Sequence, residues 1–147
     1  MSNNNRYQQF FIALRIWFIA VQLNTLLGTF FLSFSMSSGM MGYVIFYGTF
    51  YGVLVSLPAL VLMFLLINRC VARKLKGITI FRIVLPAAAI CAVIAWLLYM
   101  KFINEFDKEN IYFLLIAIVS GVTAASTQYR SFLRLANYTE PFEETPL

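Results

Sequence analysis

The chain reads as an all-α membrane protein, with four transmembrane helices in an antiparallel bundle and both termini cytoplasmic. Three observations lead there. Four apolar runs, at about 10–34, 43–67, 83–103 and 111–127, each hold about the twenty residues that cross a hydrocarbon core of about 30 Å. Lys and Arg collect in alternate breaks between the runs, and aromatic residues mark the two levels where the runs would leave the membrane. With 61% of its residues hydrophobic and 12% charged, the chain carries more apolar surface than a water-soluble core can hide. The stretches outside the runs are too short for a separate globular unit, so residues 1–147 are expected to form a single integral membrane domain. The expected location is a bacterial inner (plasma) membrane.

The first run follows Arg6 and is much longer than the 7–15 apolar residues of a signal core. No small-x-small cleavage pattern closes it, so it is expected to be retained. Tyr7, Phe10, Trp17 and Phe18 fall in its first part, at headgroup level. Tyr43 and Tyr47 open the second run, Tyr99 closes the third and Tyr112 opens the fourth, which marks the opposite interface.

Between runs two and three, Arg69, Arg73, Lys74, Lys76 and Arg82 form a basic break, read first as a stop signal after the second span. Arg69, Arg73 and Lys76 also recur at helical spacing opposite Val71, Leu75 and Ile78. A short surface-lying helix ended by Gly77 is therefore the alternative. Pro86 then falls in the first turn of the third span or kinks it. After the fourth run, the segment 139–147 holds three glutamates and two prolines, a composition that favours a short disordered tail. No internal repeat relates the two halves.

The charge count gives the orientation. Arg6, Arg15, Arg69, Arg73, Lys74, Lys76, Arg82, Arg130 and Arg134 fall on one side, whereas Lys101 and Lys108 fall on the other beside Glu105, Asp107 and Glu109. The positive-inside bias puts the first group in the cytoplasm. The formal net charge of +5 therefore reports topology and not nucleic-acid binding, because the cations sit at span ends. Arg69, Arg73, Lys74 and Lys76 are also expected to contact anionic lipid headgroups, at about 1 kcal/mol per basic residue.

The chain contains no histidine, and its Asp and Glu residues all lie in the 101–110 loop or the tail. That removes histidine-based metal and haem sites and intramembrane carboxylate proton relays. The loop acids lack the glycine turn and the distant bidentate glutamate of a calcium loop. Cys70 and Cys91 do not face an oxidising compartment and are poor disulfide candidates, although Cys70, as a juxtamembrane thiol, could accept a lipid in a eukaryotic cell. Ser, Thr and Cys nucleophiles lack a paired base, so the chain is expected not to be an enzyme and to need no metal or cofactor.

Two patterns within the spans remain. Small residues recur every four positions as Gly48, Gly52 and Ser56; Ala87, Cys91 and Ala95; and Ala117, Gly121 and Ala125. Such faces let helix backbones approach closely in lipid. Packing within the bundle accounts for spans three and four, whereas the Gly48/Gly52 face serves either the bundle or an oligomer. The second pattern is polar: Gln22, Thr25, Thr29 and Ser33 fall within roughly an 80° arc of span one, with Arg15 on the same arc. Ser120, Thr123, Thr127 and Ser131 form a stripe in span four. The stripes either hydrogen-bond the two spans together or line a hydrated path with Arg15 at its cytoplasmic mouth. Asn24 lies on the other face of span one, where a buried amide must find a partner, so span one is expected to be covered on both sides.

The function expected from these patterns is non-enzymatic helix–helix association, with itself or with another membrane protein, in an accessory, assembly or immunity-type role. The alternative is a small pore or carrier for an anion or an amphipathic lipid.

Overall fold

The computed structural model describes residues 3–33, 41–103 and 111–137, which contain five helices and no strand. They are α1 (Asn3–Ser33), α2 (Met41–Ala72), α3 (Gly77–Ile103), α4 (Ile111–Thr127) and α5 (Tyr129–Asn137). The 101–110 loop acids, Lys108 and the 139–147 tail lie outside the described residues.

The first four helices form a ring in which α1 packs on α2 and α4, and α3 packs on α2 and α4. Neighbours run antiparallel. On the α1/α2 seam Phe10 meets Phe64 edge-on with ring centroids 5.8 Å apart, and Trp17 bonds to Ser56 nearer the middle. At the far end of α1, Phe31 stacks on Tyr112 at 5.5 Å and meets Phe113 edge-on.

Helices α1, α2 and α3 are each long and apolar enough to cross a membrane. At 17 residues α4 rises only about 26 Å, and it qualifies as a span only together with α5, from which it bends by 46°. Large side chains such as Phe18, Leu26, Phe30, Phe46, Phe50, Leu62 and Leu115 cover the outer faces and are exposed. That surface suggests a membrane-embedded protein, because hydrocarbon is the solvent in which it carries no cost.

The structure changes the expected boundaries. The basic break shrinks to 73–76, since α2 continues to Ala72 and α3 starts at Gly77. No surface-lying helix fills it. The chain turns by a Schellman motif: Leu75 N–H donates to Cys70 O at 3.3 Å, Lys74 N–H donates to Val71 O at 2.9 Å, and Lys74 takes the left-handed conformation at φ 53°. Leu75 then folds against the core that contains Cys70 and Val71, the apolar contact this cap usually carries. Gly77 therefore opens α3. Pro86 and Pro58 lie well inside α3 and α2, past the first turn where proline is neutral.

Tight packing is concentrated at the end of the bundle that bears Arg69, Arg73 and Lys76. Ala13, Ile67, Val84, Ala124 and Phe132 are fully buried there, in one cluster with Ile12, Ile16, Met63, Ile80 and Leu135. Helix α5 closes this end, with Phe132 and Leu135 buried and Arg130 and Arg134 exposed. It was not anticipated, because its nine residues are too few for a span and are polar on average.

Candidate functional site: a blind cavity in the bundle

The loosely packed half of the bundle encloses a cavity of about 260 Å³. Its wall runs along α1 from Ile16 to Leu32 and along α2 from Gly48 to Met63, so at 1.5 Å per residue it extends about 20 Å along the helix axes. The opposite side is α3 from Ala88 to Tyr99 and α4 from Phe113 to Gly121.

Small residues make this space. Gly28, Gly48, Gly52, Ala59, Ala88, Ala92, Ala95, Ala117 and Gly121 all line it. Where the helices do touch, the same residues allow it: a Cβ on Gly121 would lie 3.1 Å from Ala88 O, and Cβ atoms on Gly48 and Gly52 would lie 3.6 Å from Thr25 Cγ2 and Val21 Cγ1. The Gly48/Gly52 face is thus turned to α1 of the same chain. Of the nine small residues read from the sequence, Ser56, Cys91, Ala95 and Ala117 join these glycines at the cavity, Ala125 sits in the core, and Ala87 is half-buried away from both.

The cavity has a floor and a rim. Its floor is Ile16, Met63 and Ala88, each at most 4% exposed, with Ala13, Ile67 and Val84 sealed beneath. Its rim includes Asn24, Gly48 and Tyr99, which are exposed. The space is therefore blind: open in the half away from the basic residues and closed toward them.

The polar stripes do not join into a path. Thr25 and Thr29 line the cavity, whereas Thr123 and Thr127 are exposed and Ser120 is buried outside its lining. Those hydroxyls that bond do so within their own helices and not across the α1/α4 seam, and Ser120 Oγ is buried without a partner. Thr29 Oγ1 donates to Thr25 O at 2.8 Å, Thr127 Oγ1 to Ala124 O at 2.7 Å and Ser33 Oγ to Phe30 O at 2.6 Å. Gln22 is half-buried, and Arg15 is exposed and does not line the cavity. Ser131 meets Gln128 at the α4/α5 bend, its Oγ donating to Oε1 at 3.2 Å.

Other residues carry the polar character of the wall. Trp17 Nε1 donates to Ser56 Oγ at 2.8 Å and reaches Ser56 O at 3.2 Å, which ties α1 to α2. Trp17 thus faces inward and does not belong to the interfacial belt, while Tyr7, Tyr43, Tyr47, Tyr99 and Tyr112 are exposed. Trp96, across the cavity on α3, keeps its Nε1 enclosed without an acceptor. Asn24 is covered by α1's two neighbours less than expected: it sits on the rim.

Every described residue that lines the cavity is neutral. Among the described residues there is no Asp or Glu, and no group of His, Cys, Asp or Glu that could hold a metal. The basic residues Arg69, Arg73, Lys74 and Lys76 are exposed at the far, closed end. Gln9 is a residue that sequence reasoning passed over: it is fully buried near the start of α1, with both amide atoms unpaired.

No protein-family model matches this chain, and neither a curated protein nor a solved structure does. The site must be read from its own chemistry.

Proposed function

We propose that this chain is a multi-pass membrane protein, both termini cytoplasmic, that holds one hydrocarbon chain of a membrane-soluble molecule in its cavity as a lipid binder or carrier. The observation that carries this reading is the blind, elongated, uncharged cavity. An apolar cavity of about 150 Å³ already takes up a benzene-sized molecule, and this one is larger, at about 260 Å³. In lipid no hydrophobic force collapses helices onto a void, but an empty space still forfeits dispersion contacts along its whole wall. A flexible chain lying parallel to the helices restores them.

This reading keeps the lipid part of the pore-or-carrier expectation and leaves out the anion. Arg15 is off the wall and the floor is closed by Ile16, Met63 and Ala88. Association through Gly48 and Gly52 has less support, since that face is occupied by α1. The two tryptophans of the chain, Trp17 and Trp96, both line the cavity and report its occupancy. In nonionic micelles, a chain-brominated single-chain lipid is expected to quench their fluorescence saturably. The paired substitution Ala95→Phe and Ala117→Phe, which fills the space, is expected to abolish the saturable part. Equal quenching of the filled variant would defeat the proposal.

A further inference from the structure

We infer that the molecule held in the cavity has an uncharged head that both donates and accepts a hydrogen bond, a hydroxyl being the simplest case, and that Asn24 anchors it at the rim. The inference rests on the chain-binding reading above and adds the chemistry of the head.

Asn24, Gly48 and Tyr99 all fall inside helix stretches apolar and long enough to cross a membrane. Asn24 lies nine residues before Ser33, the end of α1, which at 1.5 Å per residue sets it about 14 Å inside the helix. At that depth Asn24 faces hydrocarbon and not bulk water. A carboxamide in hydrocarbon has two donors and an acceptor to satisfy, and leaving them unmet costs free energy that no neighbour here offsets. Of the hydroxyl and indole groups of the α1/α2 wall, Trp17 is spent on Ser56, Ser56 on Gly52 O, and Thr29 on Thr25 O, while Thr25 is buried and not at the rim. Among the described residues of the rim, Asn24 is a polar group to which the structure gives no such bond.

The charge of the head follows from the wall. Among the described residues no Lys or Arg lines the cavity to serve an anionic head as counter-ion, and no carboxylate lines it to receive a cationic one. An ion at membrane depth without a partner is strongly disfavoured. A neutral head with both hydrogen-bonding roles matches an amide. A bare hydrocarbon leaves the amide unsatisfied.

The test uses three probes sharing one brominated chain: a primary alcohol, a carboxylate held ionised at alkaline pH, and an alkane without a head. Quenching of Trp17 and Trp96 in the full-length protein is read in nonionic micelles. The alcohol is expected to bind tightest in the wild type. Asn24→Leu is expected to weaken it about 3–20-fold, the range for one intramembrane hydrogen bond, while alkane binding stays unchanged and shows that the variant is folded. Asn24→Gln, which keeps the amide, is expected to recover part of the loss. Alcohol binding unchanged in Asn24→Leu, or carboxylate binding as tight as alcohol, would overturn the inference while leaving the chain-binding reading intact. Absence of saturable quenching by all three probes in the wild type would overturn both.

Discussion

Gly77 shows how much one position decides. A Cβ there would lie 2.5 Å from Phe132 O and 2.9 Å from Leu133 Cα, so the backbones of α3 and α5 meet where only a hydrogen fits. The contact is between main chains and has no flexible side chain to give way. Gly77→Ala is expected to destabilise the docked α5 by about 1–3 kcal/mol, the usual cost of overpacking. Thermal unfolding in mild detergent measures this, and an unshifted melting temperature would mean that α5 does not dock as described. Read along the chain, Gly77 was a helix breaker, because glycine after a basic run signals an end. Its use as a contact residue depends on Phe132, which is 55 positions away in sequence and leaves no local trace. Asn24, by contrast, was legible as a residue needing a partner, because an amide in an apolar run is costly anywhere.

Among the elements, α5 differs most from expectation. Its pattern is short but regular: Phe132 and Leu135 point inward, and Arg130 and Arg134 point outward. Phe81 meets Tyr129 edge-on at 5.0 Å and lies 6.3 Å from Phe132, so an aromatic cluster joins α5 to the first turns of α3. At Gln128 the chain bends, with Gln128 N–H bonded to Ala125 O and Phe132 N–H to Gln128 O. Phe132→Ala removes a fully buried ring, a change expected to cost about 3–5 kcal/mol and to release α5 from the bundle. Limited trypsin digestion reads this directly: cleavage after Arg130 and Arg134 is expected to accelerate severalfold, and an unchanged rate would show that α5 is held by something other than Phe132. The long helices were easier. Runs of twenty apolar residues have few competing structures, whereas a nine-residue amphipathic helix is marginal until a surface is there to dock on.

Across the whole molecule, the two ends contrast. One end is tightly packed and rimmed by Arg69, Arg73, Lys74, Lys76, Arg82, Arg130 and Arg134, none of which has an acidic partner among the described residues. The other end holds the cavity. Under the proposed topology, these cations keep the packed end in the cytoplasm, and the cavity opens toward the outer half of the membrane. Replacing Arg69, Arg73, Lys74 and Lys76 together with Gln is expected to give mixed orientation, read with reporter fusions at the C-terminus that are active on one side only. A uniform orientation in that variant would show that the middle loop does not set topology.

Composition and run length alone determined that this is a chain of long apolar helices, since hydropathy is a sum over neighbours and needs no fold. Alternating cations set the expected orientation in the same additive way. Small residues at every fourth position were equally visible, but their use was not, because a glycine face looks the same whether another protein or the chain's own helix covers it. Only the tertiary arrangement placed Gly48 and Gly52 against Thr25 and Val21 and turned Trp17 inward onto Ser56. It also left a space beside them, closed by Ile16, Met63 and Ala88. A cavity is a property of what several helices fail to fill together, and no single stretch of sequence carries it.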